Sequence, residues 1–577
     1  MPVSRYSATS RWRPLGVSAV LSLVVAGCEP LASGDSPAPE VSPRYVPTSQ
    51  RPQPLITHDF VQVLEPEADT HVKTGFYEEG TNFGAHDYLE VSVWFQMETY
   101  LRFNLGSLPA GVKIRSVKLS ATAFQGYSAG GDGNVYTYLV PDNSWGEYTL
   151  TWNNRLPSSG GPLGSWFIWY PSASTIEDRP GVNADPSLVP VVQSASDASD
   201  RRISFLLRNP GYYTTKYHSR EVADATKRPK LEVTYTHDVW VNASPAPTAR
   251  TKHSATLLAD GRVLVAGGAD HVGWTASAAL YSPSTGTWTS TASMSAKRNG
   301  HGATLLSSGA VFVTGGQDNG VTTSSTERYD VTTGSWSAAA SMSVPRFRHT
   351  VTTLGDGRLL AAGGFDGTTG LTSTELYEPA SGTWAPGPSM STRRFGHTAT
   401  LLPDGRVLVA GGHTGGQALA TAEVYDPATN GWTPTGTMSS RHFGHAATLL
   451  PDGRVLAVSG LTPGGVVTPI SELYNPATGT WTATGSLATA RNEFTLAMLP
   501  SGRVLALGGT DGSAVTSTVE SYDVATGSWT QAPSMSTARR NLSATVLPDG
   551  LVLAIGGQDG TAMALTSAEL FTPATGT

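Results

Sequence analysis

Arginine and histidine recur at fixed offsets along the C-terminal part of this chain. Arg250, Arg298, Arg346, Arg394, Arg491 and Arg539 each lie ten residues after a tryptophan, and His442 takes the place once. Three residues further on stand His253, His301, His349, His397 and His445, then Phe494 and Leu542. A guanidinium grips carboxylates and phosphates through paired N–H groups, and an imidazole donates, accepts or carries a proton. If the repeats close into a ring, these positions converge on one face or on a central channel. One reading is a polar funnel for an anionic ligand. The other is a hydrogen bond to the neighbouring repeat, made once per repeat, as packing of identical units demands.

Other candidates break the periodicity. Trp274 is a non-repeating aromatic on a loop, the kind of position where ligand contacts collect; a contact between repeats or domains is its alternative. Asp270, Asp318, Asp366, Asp511 and Asp559 each follow a glycine pair. They suit cations or, as ordinary turn residues, their own backbone. In the N-terminal half, Arg102, Glu147, Arg220 and Glu221 are either sugar ligands or charge pairs that close a sheet. In Trp166-Phe167-Ile168-Trp169-Tyr170, alternation cannot bury every ring, so an outward aromatic can stack on a sugar. Trp152 shares a strand face with Leu150 and is read mainly as core, with sugar contact as the second use. No His-Glu-x-x-His, Gly-x-Ser-x-Gly or phosphate-loop motif occurs.

The elements that must hold these residues follow from spacing. Tryptophans stand at 240, 288, 336, 384, 432, 481 and 529, with Gly-Gly 27 residues later in six repeats and Ser459-Gly460 in the fifth. An aromatic, Tyr281 to Phe571, precedes the next tryptophan position by seven. Each repeat reads as four short strands, as in Thr398–Leu402, Val407–Ala410, Ala422–Tyr425 and the strand opened by Trp432. That is a propeller blade, and the pattern resembles the kelch repeat. The phase leaves an orphan outer strand at 237–244 and a last blade without one, so the orphan is expected to close the ring. Kelch blades also build galactose-oxidase-like copper oxidases, which use a Cys–Tyr cross-link and an adjacent Tyr-His pair. Here no Cys follows position 28, and Tyr217-His218 lies outside the repeats. Such an oxidase is not expected.

Residues 56–236 alternate with period two in Phe60–Leu64, Tyr88–Val93, Tyr100–Leu105, Val117–Ala121 and Leu231–Tyr235, the mark of half-buried strands. Ala68-Asp69-Thr70-His71-Val72, Asn82-Phe83-Gly84, Leu101-Arg102-Phe103, Trp145-Gly146-Glu147, Thr149 to Asn154, Ser219-Arg220-Glu221 and Arg228-Pro229-Lys230-Leu231 occur in that order. As a set they resemble the DNRLRE-type domain, carbohydrate-binding module family 96. The resemblance implies a jelly roll that binds acidic or marine-type polysaccharide. It departs around 183–194, where Ala184-Asp185-Pro186-Ser187-Leu188 stands in place of an Asp-Val-Thr-like run.

The N-terminus reads as an address. Arg5, Arg11 and Arg13 precede an apolar run from Leu15 to Val25, a secretory signal too short to span a membrane. Val25-Ala26-Gly27-Cys28 resembles a bacterial lipobox, which implies that Cys28 is the lipidated mature N-terminus. Glu29 follows it, favouring the outer membrane or cell surface. Seven prolines in 29–55 make a semi-rigid spacer.

Composition limits the rest. With 577 residues, only 14% charged, one Cys and a net charge of −7, the chain lacks a disulfide framework, a multi-cysteine metal site and a basic surface for nucleic acid. The expectation is an all-β protein: signal peptide at 1–27, linker at 28–55, jelly-roll β-sandwich at 56–236 and seven-bladed β-propeller at 237–577. It is expected to be a non-catalytic, lipid-anchored glycan-binding protein with no metal or cofactor, and with the propeller as a second platform. The alternative is a scaffold whose propeller binds a partner protein.

Overall fold

The computed structural model describes residues 59–73, 81–84, 86–92, 97–109, 112–128, 134–167, 176–209 and 213–574. Cys28, Trp169 and Tyr170 lie outside them, as does the Trp152 side chain. The chain forms two compact units, 239–572 and 56–238 with 573–576.

The N-terminal unit is a sandwich of two antiparallel sheets. One runs Phe60–Leu64, Lys230–Thr236, Lys113–Ser128, Tyr213–His218 and Tyr88–Ser92, with Ile176–Asn183 also paired to the long Lys113–Ser128 strand. The other runs Ala68–Val72, Glu98–Asn104, Arg202–Arg208, Asn134–Val140 and Ser165–Phe167. Leu89, Val91, Leu101, Phe103, Leu119, Phe205 and Val233 fill the space between them, the inward half of each alternating run.

Two local expectations change. Around 183–194, a helix spans Leu188–Asp197 and buries Leu188, Val192 and Ser196, one stripe at helical spacing. Its Gln193 docks on the backbone of Val112 and Ile114. Thr149–Trp152 is not a strand. Trp152–Asn154 is a single 3₁₀ turn whose Asn154 carboxamide oxygen accepts from the Thr151 backbone and hydroxyl. Leu150 is buried, but no strand face pairs it with Trp152.

The described residues 239–572 form seven four-stranded antiparallel sheets, apart from a small two-stranded loop ribbon. Their first strands follow one another around a ring, and Ser254–Leu257 meets Ser543–Val546 to close it. In every sheet the second strand, such as Val407–Ala410, is buried along its whole length. Adjacent sheets cover both its faces, so a continuous apolar run replaces alternation. Val239–Ala243 is the outer strand of the last sheet, with Trp240 opposite Phe571. The orphan strand therefore closes the ring. The glycine pairs turn the chain at positive φ where no side chain fits: a Cβ on Gly268 would lie 2.6 Å from Thr251 O. Ser459 replaces the first glycine of one pair at φ 58°, and its hydroxyl donates to Thr468 O at 2.6 Å.

Candidate functional site

The arginine and histidine series is not a ligand face. Arg250, Arg298, Arg346 and Arg394 are at most 1% exposed. Each Nη1 donates to a carbonyl of the following glycine pair and to one at the start of the third strand; for Arg298 these are Gly315 O at 2.8 Å and Ser325 O at 3.0 Å. Nη2 of Arg298, Arg346 and Arg394 meets buried Glu327, Glu375 and Glu423 at 2.7 to 3.0 Å. Glu327 also accepts the backbone N–H groups of Ser295 and Ala296. Nη1 and Nη2 of these buried guanidinium groups are engaged inside the fold, although Nε of Arg298 and Arg394 finds no acceptor; the side chains serve as internal struts.

The first sheet departs from this scheme. Ala279 occupies the glutamate position, and Pro247 stands where Ser295 supplies its N–H, so donor and acceptor disappear together. Arg250 keeps the Ser277 hydroxyl as its Nη2 partner. Burial pushes it down to about 10.

The histidines bind neighbouring sheets. His253, His301, His397 and His445 place Nε2 against Ser543, Ser254, Thr350 and Thr398 at 2.7 to 3.0 Å. His349 reaches Thr314, because Gly302 stands at the equivalent position. Burial, reinforced by nearby cations, holds His301, His349 and His445 down to about 3, so they are neutral at ordinary pH. A cavity of about 50 Å³ between first strands, lined by His349, Thr350, His397 and Thr398 among others, has room for a water molecule but not for a sugar ring. Trp274 is half-buried and bridges Ala269 at its loop. Asp270 accepts the N–H groups of Val272 and Gly273, the ordinary turn use.

The position that sequence reasoning passed over lies one residue before the histidine position of each repeat, which is Phe494 and Leu542 in the last two. Lys252, Gly300, Arg348, Gly396, Gly444, Glu493 and Asn541 all have φ between 51° and 64°. Backbone hydrogen bonds join them in a belt about the axis: Lys252 N to Asn541 O, Arg348 N to Gly300 O, Gly396 N to Arg348 O, Gly444 N to Gly396 O, and Asn541 N to Glu493 O. Glycine is the unstrained choice there, and each other residue costs about 1 kcal/mol. Glu493 is 3% exposed and pairs with Arg540 at 3.3 Å. Burial pushes its carboxyl up, against the pull of Arg540, Lys252 and Arg348. Phe347 packs over Gly300, and Phe443 over Gly396. The sequence signal was the charge at a position that is glycine in three repeats.

In the sandwich, the expected sugar ligands are bound to one another. Arg102 pairs with Glu67 at 2.6 Å, donates to the Trp145 carbonyl and lies over the Trp145 ring at 4.9 Å. Arg220 meets Glu147 at 2.9 Å and Glu221 at 3.0 Å, and its backbone N–H caps Asp69. Burial pushes Asp69 up to about 7. These groups close one end of the sandwich. Trp166 is core: it is 4% exposed, and its indole donates to Tyr217 at 2.9 Å. Among the described residues of this run, Phe167 faces outward, at 56% exposure.

A different aromatic surface forms on the outer side of the first sheet. His218 pairs across the strands with Tyr88. Phe124, the extra residue of a bulge opposite Lys216 and Tyr217, packs against His218 with the rings tilted by 32° and centroids 4.7 Å apart. His86 lies edge-on to Tyr88 and to Phe83, each at 5.3 Å. Lys216 Nζ sits 4.7 Å above the Tyr88 ring. All six side chains are partly exposed. Strand pairing gathers Tyr88, Phe124, Lys216 and His218, and the loop before Tyr88–Ser92 adds Phe83 and His86.

Comparison with known proteins divides the chain in the same way. Residues 61–235 match the model of carbohydrate-binding module family 96. The Kelch motif matches residues 300–343, 345–391, 394–439 and 500–536. No curated protein matches. Among solved structures, a "novel fungal alcohol oxidase with catalytic diversity among the AA5 family, in complex with copper" is similar at 18% identity. It aligns over 58% of this chain and 76% of its own, with a TM-score of 0.49. The structure of YjhT is similar at 15% identity over 50% of this chain and 99% of its own, with a TM-score of 0.41.

Proposed function

With a family 96 carbohydrate-binding module at residues 61–235 and Kelch motifs after it, we propose that this protein is a non-catalytic glycan-binding protein of the cell envelope. The sandwich binds polysaccharide on the Phe83–His86–Tyr88–Phe124–His218 surface, with Lys216 for acidic groups, and the propeller is a second platform. Cys28 carries the lipid that anchors it, and the proline-rich segment holds the folded units off the membrane. The observation that carries this reading is the aromatic surface with its adjacent cation inside a module of a carbohydrate-binding family. Ring faces stack on sugar C–H groups, each contact contributing on the order of 1 kcal/mol by analogy with other aromatic contacts.

The test is calorimetric titration of the full chain, without its signal peptide, with acidic and neutral polysaccharides. Micromolar to millimolar binding is expected, weakened several-fold by Tyr88→Ala and unaccompanied by new reducing ends. Reducing ends appearing during titration overturn the non-catalytic part.

A scaffold reading has its own support. Val272, Val321, Val466 and Met563, at propeller loop tips, are all exposed, and apolar tips suit a protein partner. Capture of a defined partner by a full chain that binds no glycan favours it.

A further inference from the structure

We propose that the axial belt of the propeller is a binding site for a small acidic sugar, its carboxylate held by Lys252 and Arg348 and its ring set against Phe347 and Phe443. This deepens, and rests on, the reading of the propeller as a second platform.

Three independent features point to it. The first is the choice of residues. Seven equivalent positions require the left-handed backbone, three are glycine, and Lys252, Arg348 and Glu493 are placed there at φ 56°, 53° and 58°. Long charged side chains at strained positions cost stability, and such strain collects at functional sites. The second is charge. Lys252, Arg348 and Arg540 all act on the single carboxylate Glu493, so cations outnumber the acid three to one in this group. Lys252 and Arg348 are mostly buried with part of their surface exposed, and Glu493 is buried with Arg540 beside it. Asn541, 3% exposed, hydrogen-bonds the Glu493 carboxylate through its side chain. The third is the neighbouring apolar wall. Phe347 and Phe443 lie directly against the belt glycines, and Arg348 stacks on Phe347 at 4.9 Å. Cations on one arc and rings on another suit a ligand with a carboxylate and a C–H face.

The experiment titrates the full chain with glucuronate, glucose, acetate and sulfate, and repeats it for Lys252→Gly/Arg348→Gly and for Tyr88→Ala. Glycine already occupies three belt positions, so the double variant is expected to melt no lower than the parent. Saturable glucuronate binding, at least tenfold weaker in the double variant and unaltered by Tyr88→Ala, is the result expected. Equal binding by the double variant and the parent overturns the proposal, as does no binding of any probe. A fall in Tm that accompanies lost binding also overturns it, by making these residues structural. Acetate or sulfate bound as tightly as glucuronate overturns the sugar assignment. Loss of glucuronate binding in Tyr88→Ala alone moves the site to the sandwich and leaves the glycan reading standing. Polysaccharide failing to bind while the belt still takes glucuronate ends the sandwich reading and leaves the belt site.

Discussion

The guanidinium of Arg298 and the carboxylate of Glu327 lie 2.7 Å apart with side-chain exposures of 0% and 3%. Removing one partner leaves the other charged and buried, at a cost of about 3–5 kcal/mol. Glu327→Ala is therefore expected to lower unfolding stability by that order, read from the urea midpoint. Ala279→Glu is expected to restore much less than this: it supplies Arg250 with a carboxylate but finds Pro247 where the N–H donor should be.

The buried histidines make the propeller sensitive to acid. His301, His349 and His445 titrate near 3 when folded and near 6.5 when unfolded. Between those values the unfolded chain binds more protons, so their contribution is complete above 6.5 and falls as the pH drops through the folded values. Each histidine adds a slope of about 1.4 kcal/mol per pH unit within that window. Denaturation curves from pH 7 to pH 4 are expected to steepen accordingly, and His349→Gln to flatten them.

Asp69 works in the opposite direction. Its folded value near 7 exceeds its ordinary 3.8, mainly through burial. Ionising it when folded costs stability as the pH rises from about 4 to 7. Asp69→Asn keeps an acceptor for the Arg220 N–H, so it is expected to raise Tm at pH 8 and to change it little at pH 4.

Closure rests on the pairing of Trp240 with Phe571, whose ring centroids are 5.2 Å apart. Deleting 239–243 leaves Ala568–Thr572 as an open edge. Increased light scattering on mild warming, with Trp240→Ala intermediate, is the expected result.

The anchor is tested at its own residue. Cys28→Ser is expected to abolish lipid incorporation and release the protein from the membrane fraction. Recovery there with unchanged mass refutes the assignment.

Periodicity alone determined the repeat length, the four strands per repeat, the glycine turns and the displaced outer strand. All of these follow from short-range rules: strand alternation, positive φ at glycine, and a hydrophobic unit that must stack on its neighbours. The ordered motif set likewise placed the sandwich. What the sequence could not assign was the use of each polar residue. Arg298 and His301 repeat as a binding series would, yet neighbouring sheets bury them, because each repeat must satisfy its own polar groups where it meets the next. Trp166 points inward and Phe167 outward because Ser165–Phe167 pairs with Asn134–Val140 at a register no local rule dictates. Tyr88, Phe124 and His218 are far apart in the chain and meet only through strand pairing and a bulge. Lys252, Arg348 and Glu493, from three separate repeats, share one belt only because the ring closes.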